Sequence, residues 1–173
     1  MTASKLTGAT ASQTPSADIS NTPGHLIRRS HQIAVAMFLD EFQHTGLTPV
    51  QFAALSTIAA RPGLDQSTLV NLIAVDRSTI GTILRGLEMR GLIRRITPHF
   101  NQRVKQLFIQ PSGEDLLRAT PNALRRSQER ILAPLKPSER ETFMNLLVRI
   151  VDSNNEFSRA PIRTPRIDGA DAA

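Results

Sequence analysis

Residues 66–108 constrain the fold more than any other part of the chain, because their hydrophobic period changes once, at Gly91. Before Gly91, apolar residues recur at steps of three and four, as they do on one face of a helix. A capping residue, Asp76, divides this part into two short helices with a tight turn between them. After Gly91 the period predicts two strands, residues 93–97 and 104–109, around a polar turn. The sequence therefore predicts a helix-turn-helix followed by a β-hairpin.

The net charge of the chain is concentrated in the same segment. Between residues 76 and 105, seven cations outnumber two anions and give a net charge of +5, whereas the whole chain carries +6 at pH 7. The seven cations are Arg77, Arg85, Arg90, Arg94, Arg95, Arg103 and Lys105. A basic surface confined to one supersecondary unit is what phosphate binding requires. Because a winged helix-turn-helix binds DNA with such a helix pair and hairpin, we expect a unit that binds double-stranded DNA.

Length and composition predict one globular domain with a tail at each end. A chain of 173 residues, 40% of them hydrophobic, is long and apolar enough for one packed core. Residues 1–22 are rich in Thr, Ser and Ala without apolar periodicity, so we expect a disordered tail. Pro, Arg and Gly return in residues 159–173, where we expect a flexible tail. The domain between them, residues 23–158, has no internal repeat.

Composition also argues against several other classes of protein. No run of about eighteen apolar residues and no signal peptide occurs, so we expect a cytoplasmic protein. The chain has no cysteine, which excludes disulfides and thiol redox sensing. Its aromatic content of 4%, all Phe, disfavours single-strand binding by base stacking. The four histidines lack metal-ligand spacing and no catalytic motif occurs, so we expect no enzyme, metal or cofactor.

Helical patterns precede the DNA-binding unit. A first helix, about residues 25–44, has a wide apolar face, which is typical of a helix buried on more than one side. Thr48 and Pro49 predict the start of a second helix over residues 50–60, since Thr caps helices and Pro suits the first helical position.

Two further helices follow the hairpin. Ser112 predicts the cap of a long helix to about residue 131, which Pro134 and Pro137 would end. Ser138 and Glu141 have the spacing of a capping box for a last helix. Its apolar stripe comprises Phe143, Leu146, Leu147 and Ile150. This stripe exceeds what a lone terminal helix can cover, so it packs either within its own chain or against a second copy.

Short polar and basic side chains share one face of the second helix of the pair, where they can reach base edges in the major groove. They are Arg77, Ser78, Thr79, Thr82 and Arg85. Alone, such a face is equally typical of a solvated helix, but the adjoining basic hairpin favours DNA contact. Gly81 costs about 0.8 to 1 kcal/mol relative to Ala inside a helix. A tight fit to the neighbouring helix or to a sugar-phosphate backbone would explain it.

The hairpin supplies four further cations. Arg103 lies at its tip, with Lys105 on the same strand face. An Arg at this place can enter a minor groove, where the negative potential is strongest when the groove is narrow. Arg94 and Arg95 are predicted phosphate contacts. The alternative for a basic hairpin by itself is that it only keeps the surface soluble.

The segments AVDRSTIGTILRGLEMRGLIRR and NQRVKQLFIQPSGEDLL resemble the winged-helix core of the MarR family. The family pattern is a capped recognition helix, Leu-Glu-x-x-Gly-Leu-Ile, a wing with Asp-x-Arg, and Leu-Thr-x-x-Gly before a long helix. Six positions match it: Leu87, Glu88, Arg90, Gly91, Leu92 and Arg103. Asn101 stands where an Asp is usual, which leaves the wing Arg without that charge-assisted tether. Gln110 and Pro111 replace the usual Thr-Pro.

The resemblance covers about residues 25–157 and implies a mainly α fold with a small β-hairpin wing. A winged helix-turn-helix core, about residues 47–110, would be flanked by dimerisation helices, about residues 25–44 and 112–157. It implies a triangular homodimer that represses transcription from a near-palindromic operator. A small ligand, bound between the dimerisation helices and the DNA-binding lobe, would release the DNA.

The start of the first helix is similar to the segment that many aromatic-acid sensors of this family place at the ligand. His25, Arg28, Arg29 and His31 lie there. Arg28 can hold a carboxylate in a bidentate fork, and His31 lies one turn further on the same face. We therefore expect an aromatic carboxylate as effector. The alternative for these residues is that the paired arginines are only solvated surface residues. The alternative is a DNA-binding regulator controlled by a protein partner or by its own concentration, without a small ligand.

Overall fold

The structure is a computed structural model that describes residues 19–98 and 104–163. Seven α-helices and two strands follow one another in these ranges, in an order that agrees with the predicted mainly α fold with a β-hairpin wing. The elements are α1 (Pro23–Glu41), α2 (Pro49–Ala60), α3 (Gln66–Ile73), α4 (Arg77–Met89), β1 (Ile93–Ile96), β2 (Gln106–Ile109), α5 (Pro111–Arg118), α6 (Pro121–Leu132) and α7 (Pro137–Ser153). A short 3-10 turn, Asn155–Phe157, follows α7.

The chain divides between Gln32 and Ile33, inside α1, into two compact units. In the first unit the helix is preceded by a turn in which the Thr22 hydroxyl donates to the Ile19 carbonyl at 2.9 Å. Of the predicted tails, residues 1–18 and 164–173 lie outside the described residues. None of the described helices is long and apolar enough to cross a membrane.

The hydrophobic core of the second unit is built around α4. Its residues Ile80, Leu84 and Leu87 are fully buried at steps of three and four, as the sequence predicts. They pack with fully buried residues of α2 and α3, among them Leu55 and Leu69. The face that α4 buries in the core is therefore fixed, and with it the face that the helix presents to solvent.

A second, smaller cluster joins the later part of α1 to α6. The rings of Phe38 and Phe42 stack with their centroids 3.8 Å apart and pack against Ala123. Two ion pairs border this cluster, since Glu41 accepts hydrogen bonds from Arg126 at 2.7 Å and from Arg130 at 2.9 Å. The hydrogen bond from Arg126 is the largest of the effects that lower the pKa of Glu41.

The predicted breadth of burial on α1 is not found in the single chain. Phe38 is the only residue of α1 that is buried, whereas Ile33 and Leu39 on the same helix are more than 40% exposed. The apolar face that the sequence shows is therefore present, and the described residues leave it uncovered.

The wing is shorter than predicted and has an additional partner. The antiparallel register pairs Ile93 with Ile109 and Ile96 with Gln106, so both strands are four residues long. The loop after α2 adds a third stretch, because Gly63 donates to the Leu107 carbonyl at 2.8 Å and Leu107 donates back to Leu64 at 2.9 Å. The predicted hairpin tip, residues 98–102, lies outside the described residues from residue 99 onward.

The prediction of one long helix from Ser112 to residue 131 is wrong, because α5 ends at Arg118 and α6 begins at Pro121. Proline lacks an N–H and its ring clashes with the preceding turn, so it begins a helix instead of continuing one. Ser112 is not the cap either. Its hydroxyl donates to the Gly91 carbonyl at 2.6 Å, and Gln110 occupies the N-cap position.

The predicted capping box of the last helix is also shifted by two residues. Pro137 does not end a helix but occupies the first turn of α7, where its missing N–H costs nothing. The carboxylate of Glu139, not that of Glu141, accepts a hydrogen bond at 2.7 Å, from the backbone N–H of Lys136.

After α7, the Asn155 side chain holds the backbone of Ile162. Its oxygen accepts from the Ile162 N–H at 2.9 Å, and its amide nitrogen donates to the Ile162 carbonyl at 3.1 Å.

Gly113 allows α5 to pack against the wing. A Cβ at this position would lie 2.4 Å from the Leu92 carbonyl oxygen and 2.9 Å from Ile109 Cγ1. We expect Gly113→Ala to lower the free energy of unfolding by about 1 to 3 kcal/mol, because a backbone oxygen cannot move aside as a flexible side chain can. Thermal and urea unfolding measure the change.

Gly86→Ala is the matched control for this prediction. A Cβ there meets only Gln51 Nε2, at an ordinary 3.7 Å, so the substitution should gain helix propensity and raise stability. Equal stability of Gly113→Ala and the parent protein would contradict the clash.

Candidate nucleic-acid interface

The turn between α3 and α4 fixes the exposed face of α4 by a carboxylate cap. Asp76 accepts from the Thr79 backbone N–H at 2.9 Å, from the Ser78 hydroxyl at 2.5 Å and from the Thr79 hydroxyl at 2.9 Å. These bonds, that of Ser78 foremost, lower the pKa of Asp76 to about 2, so the cap is ionised at neutral pH. The cap holds the first turn of α4 and, through their hydroxyl groups, two of the five side chains that the sequence predicts to face DNA.

All the side chains predicted for the recognition face of α4 are exposed on one side of the helix. They are Arg77, Ser78, Thr79, Thr82 and Arg85. The Arg85 guanidinium donates to the Thr82 hydroxyl at 3.1 Å, which holds this long side chain along the helix surface. The structure therefore brings these residues together as the sequence predicts, at the surface opposite the buried stripe of Ile80 and Leu84.

The wing cations differ in what they contact. Arg94 is exposed, and its guanidinium lies 5.5 Å from the centroid of the Phe108 ring, a cation–π arrangement. Arg95 instead forms an ion pair with Glu88 of α4, with 2.9 Å between its Nε and Glu88 Oε2. The Arg95 side chain is only 22% exposed, and its hydrogen bond lowers the pKa of Glu88. Arg95, predicted as a phosphate contact, thus has a second role that the sequence did not indicate: it joins the wing to the recognition helix.

Arg90 is exposed, but its guanidinium is held by hydrogen bonds within the protein. Its guanidinium donates to the Thr45 carbonyl at 2.6 Å and to the Gly46 carbonyl at 3.1 Å, so it fastens the end of α4 to the loop before α2. Arg103 lies outside the described residues, and its predicted minor-groove contact stays a prediction. Among the described ion pairs of the chain, none includes Arg77, Arg85, Arg94 or Lys105.

An open cleft of about 370 Å³ lies beside the recognition helix. Arg77 and Lys105 bring positive charge to it, and the start of α3 forms another part of its lining with Gln66 and Ser67. Sequence reasoning did not select Gln66 and Ser67. The sequence signal that could have found them is Asp65, since Asp is a common helix N-cap and the basic unit follows closely. In the structure, Asp65 does cap α3 and accepts from the Ser67 backbone N–H at 2.8 Å.

The four residues predicted to bind an effector all belong to the first unit, on the early turns of α1. His25 is half-buried, and Arg28, Arg29 and His31 are exposed. Arg28 Nη1 donates to the side-chain oxygen of Gln32 at 2.9 Å, a neutral partner one turn further along the helix. Among the described residues, no group of three or more His, Asp or Glu side chains is placed to hold a metal ion.

Comparison with known proteins places this geometry in one family. The model of the MarR family matches residues 47–105, the range that contains α2, α3, α4 and β1. The HTH-type transcriptional repressor NicR of Pseudomonas putida is 31% identical over 147 residues, which cover 80% of this chain and 92% of NicR.

Two solved structures of transcriptional regulators are similar to this chain in fold. The Streptomyces coelicolor transcriptional regulator PcaV, in complex with its natural ligand, has a TM-score of 0.71 at 29% identity and covers 81% of this chain and 99% of PcaV. Bordetella bronchiseptica BpsR, whose DNA binding is regulated by 6-hydroxynicotinic acid, has a TM-score of 0.72 at 25% identity and covers 78% and 96%. The family model, the identity to NicR and the winged helix together show that this chain belongs to the MarR family of transcriptional regulators.

Proposed function

We propose that the protein is a homodimeric repressor that binds a near-palindromic DNA operator and releases it when an aromatic carboxylate binds. The observation that carries the proposal is the exposed face of α4, where two arginines and three hydroxyl side chains lie together beside the wing. Short polar and basic groups of this kind read base edges in the major groove. When α4 lies in the major groove, the wing lies along the sugar-phosphate backbone beside that groove.

The exposed cations supply the electrostatic part of binding. Arg77, Arg85, Arg94 and Lys105 are exposed and belong to none of the described ion pairs, so each is available to a phosphate. Arg95 shares its charge with Glu88, and we assign it to positioning the wing. Arg103 completes the set as a contact at the wing tip, proposed from the sequence alone.

The case for a homodimer depends on α7. Seven of its large apolar side chains are each between 37% and 52% exposed, and none of its residues is buried. They are Phe143, Met144, Leu146, Leu147, Val148, Ile150 and Val151. The alternative that this stripe packs within its own chain receives no support from the described residues, which leave it uncovered. A contiguous apolar patch of this kind marks an interface, and a second copy presents the same patch.

A two-fold dimer fixes the geometry of the operator. Two recognition helices related by a two-fold axis enter successive major grooves, so the half-sites lie about 10 bp apart, centre to centre. Because the two copies present identical side chains, the operator sequence is nearly palindromic.

The effector proposal is supported by chemistry and by one relative. The compound that regulates DNA binding by BpsR, 6-hydroxynicotinic acid, joins an aromatic ring to a carboxylate. Arg28 offers a bidentate fork to such a carboxylate, and its described partner, Gln32, is neutral. His25, Arg29 and His31 would bind the ring substituents or add positive charge. A hundredfold loss of operator affinity requires about 2.7 kcal/mol of coupling between the two sites.

The second candidate, control by a protein partner or by concentration without a small ligand, makes the same contacts with DNA. It differs only in the response to small molecules. Titration with small aromatic acids therefore separates the two.

The first prediction concerns salt. Arg94→Ala and Lys105→Ala should each reduce the slope of log K against log salt by about 0.9, because each removes one phosphate contact. Arg85→Ala should relax sequence preference more than it lowers non-specific affinity. Arg118→Ala is the control, since this exposed arginine of α5 is paired with Glu114 and Asp115. Fluorescence anisotropy with labelled duplexes measures these effects, and a slope that none of the wing variants changes would contradict the interface.

The second prediction concerns the dimer. Leu147→Glu should convert the protein to a monomer and lower its operator affinity at least about tenfold, because a carboxylate cannot be buried in an apolar interface. Light scattering after gel filtration gives the mass. Met89→Glu makes the same chemical change at an exposed apolar residue outside α7 and should stay dimeric. A Leu147→Glu protein with the parent's mass would argue against this interface.

The third prediction concerns the effector. In a panel of 6-hydroxynicotinate, benzoates and cinnamates, at least one compound should bind by calorimetry and weaken operator binding about a hundredfold. Arg28→Ala should abolish that response and leave operator binding intact, whereas Arg118→Ala should respond like the parent protein. If no compound binds, or if Arg28→Ala still responds, control by a partner or by concentration becomes the better explanation.

A further inference from the structure

No contact among the described residues requires glycine at position 81, in the interior of α4. A Cβ built on it meets no heavy atom within 4 Å, which excludes the tight fit to a neighbouring helix that the sequence suggested. Its backbone does not need glycine either, because the positive φ angles of the described glycines belong to Gly46, Gly63 and Gly91. A helix interior disfavours glycine, so this residue weakens α4 without any benefit to packing or conformation.

The position of Gly81 on the helix points to the DNA side. It lies four residues after Arg77, three after Ser78 and four before Arg85, so it shares their face. Gly81 itself is half-buried, and its neighbour Ile80, about 100° further round the helix, is fully buried. The two arginines thus lie one turn before and one turn after Gly81 in the same row of the helix, and the shortest possible residue lies between them at the edge of the exposed face.

The chemistry beside Gly81 favours a base edge over a phosphate. The Ser78 and Thr79 hydroxyl groups donate their protons to Asp76, at 2.5 and 2.9 Å. A hydroxyl has one proton, so these two side chains can only accept a hydrogen bond from a ligand. Phosphate oxygens are acceptors and cannot provide one, whereas adenine and cytosine present amino donors in the major groove.

We propose that Gly81 is a specificity-determining residue at which the backbone of α4 comes into direct contact with a base edge of the operator. Without a Cβ the helix approaches the floor of the groove more closely, and this approach brings the oxygen of Ser78, one turn before Gly81, within reach of a base amino group. The inference rests on the proposed DNA-binding function and names the residue that sets the depth of the contact.

Gly81→Ala tests the proposal, with Gly86→Ala as the matched control in the same helix. Both substitutions add one methyl group and helix propensity, but the Cβ of residue 86 faces Gln51 of α2, at 3.7 Å, and not the exposed face. The probes are a duplex that the parent protein selects from a random-sequence pool and a scrambled duplex of equal length. Kd for both duplexes and Tm are measured for the three proteins.

We expect Gly81→Ala to raise the Tm by about 2 to 4 °C, as an unobstructed gain of helix propensity should. Its Kd for the selected duplex should rise about tenfold or more, while its Kd for the scrambled duplex changes less than about threefold. Gly86→Ala should raise the Tm and keep both Kd values within about twofold of the parent.

Four results would overturn the proposal: parent-like affinity of Gly81→Ala for the selected duplex, an equal loss on both duplexes, an equal loss by Gly86→Ala, or a lower Tm of Gly81→Ala. Parent-like affinity would show that no base approaches residue 81, and an equal loss on both duplexes would indicate a phosphate contact. An equal loss by Gly86→Ala would indicate a general effect of helix stiffness. A lower Tm of Gly81→Ala would indicate a clash inside the protein. If the parent protein selects no duplex, the DNA-binding function itself fails, which is a distinguishable outcome.

Discussion

The burial of one stripe of α4 orients every other part of the interface. Ile80, Leu84 and Leu87 are fully buried against α2 and α3, and each contributes roughly 1.5 to 3 kcal/mol by leaving water. Because these residues fix the rotation of the helix, the opposite face is the one that solvent and DNA can reach. Asp76 then fixes the first turn, and the ion pair between Glu88 and Arg95 fixes the wing relative to the helix.

The cations of residues 76–105 have two different roles: some hold the protein together, and others are exposed to solvent. Arg90 and Arg95 hold the end of α4 and the wing in place through hydrogen bonds to backbone carbonyls and to Glu88. The exposed cations Arg77, Arg94 and Lys105 lie at the start of α4, in β1 and just before β2. A charge count alone treats all these side chains as equivalent, although those that hold the protein together are the less available to a phosphate.

The described residues leave apolar faces of α1 and α7 uncovered. Ile33 and Leu39 on α1 and the seven large apolar residues of α7 remain in contact with water. In the proposed dimer these faces cover one another, and the distance between the two recognition helices depends on how they pack. A ligand that changes this packing can release DNA without touching α4, since it needs only to favour a different spacing.

Local patterns of a few residues were enough to predict the order of elements, the caps at Thr48 and Asp76, the buried stripe of α4 and the concentration of charge around it. Pro121 by itself also indicates the break, since proline begins helices, although the pattern after Ser112 predicts one helix that continues through it. The partners of Arg90, forty-four and more residues away, the pairing of Gly63 with β2, and the open space beside Gly81 emerge only in the folded chain. Each of these depends on segments that are distant in sequence and meet only when the core packs, and no local period or spacing records such a meeting.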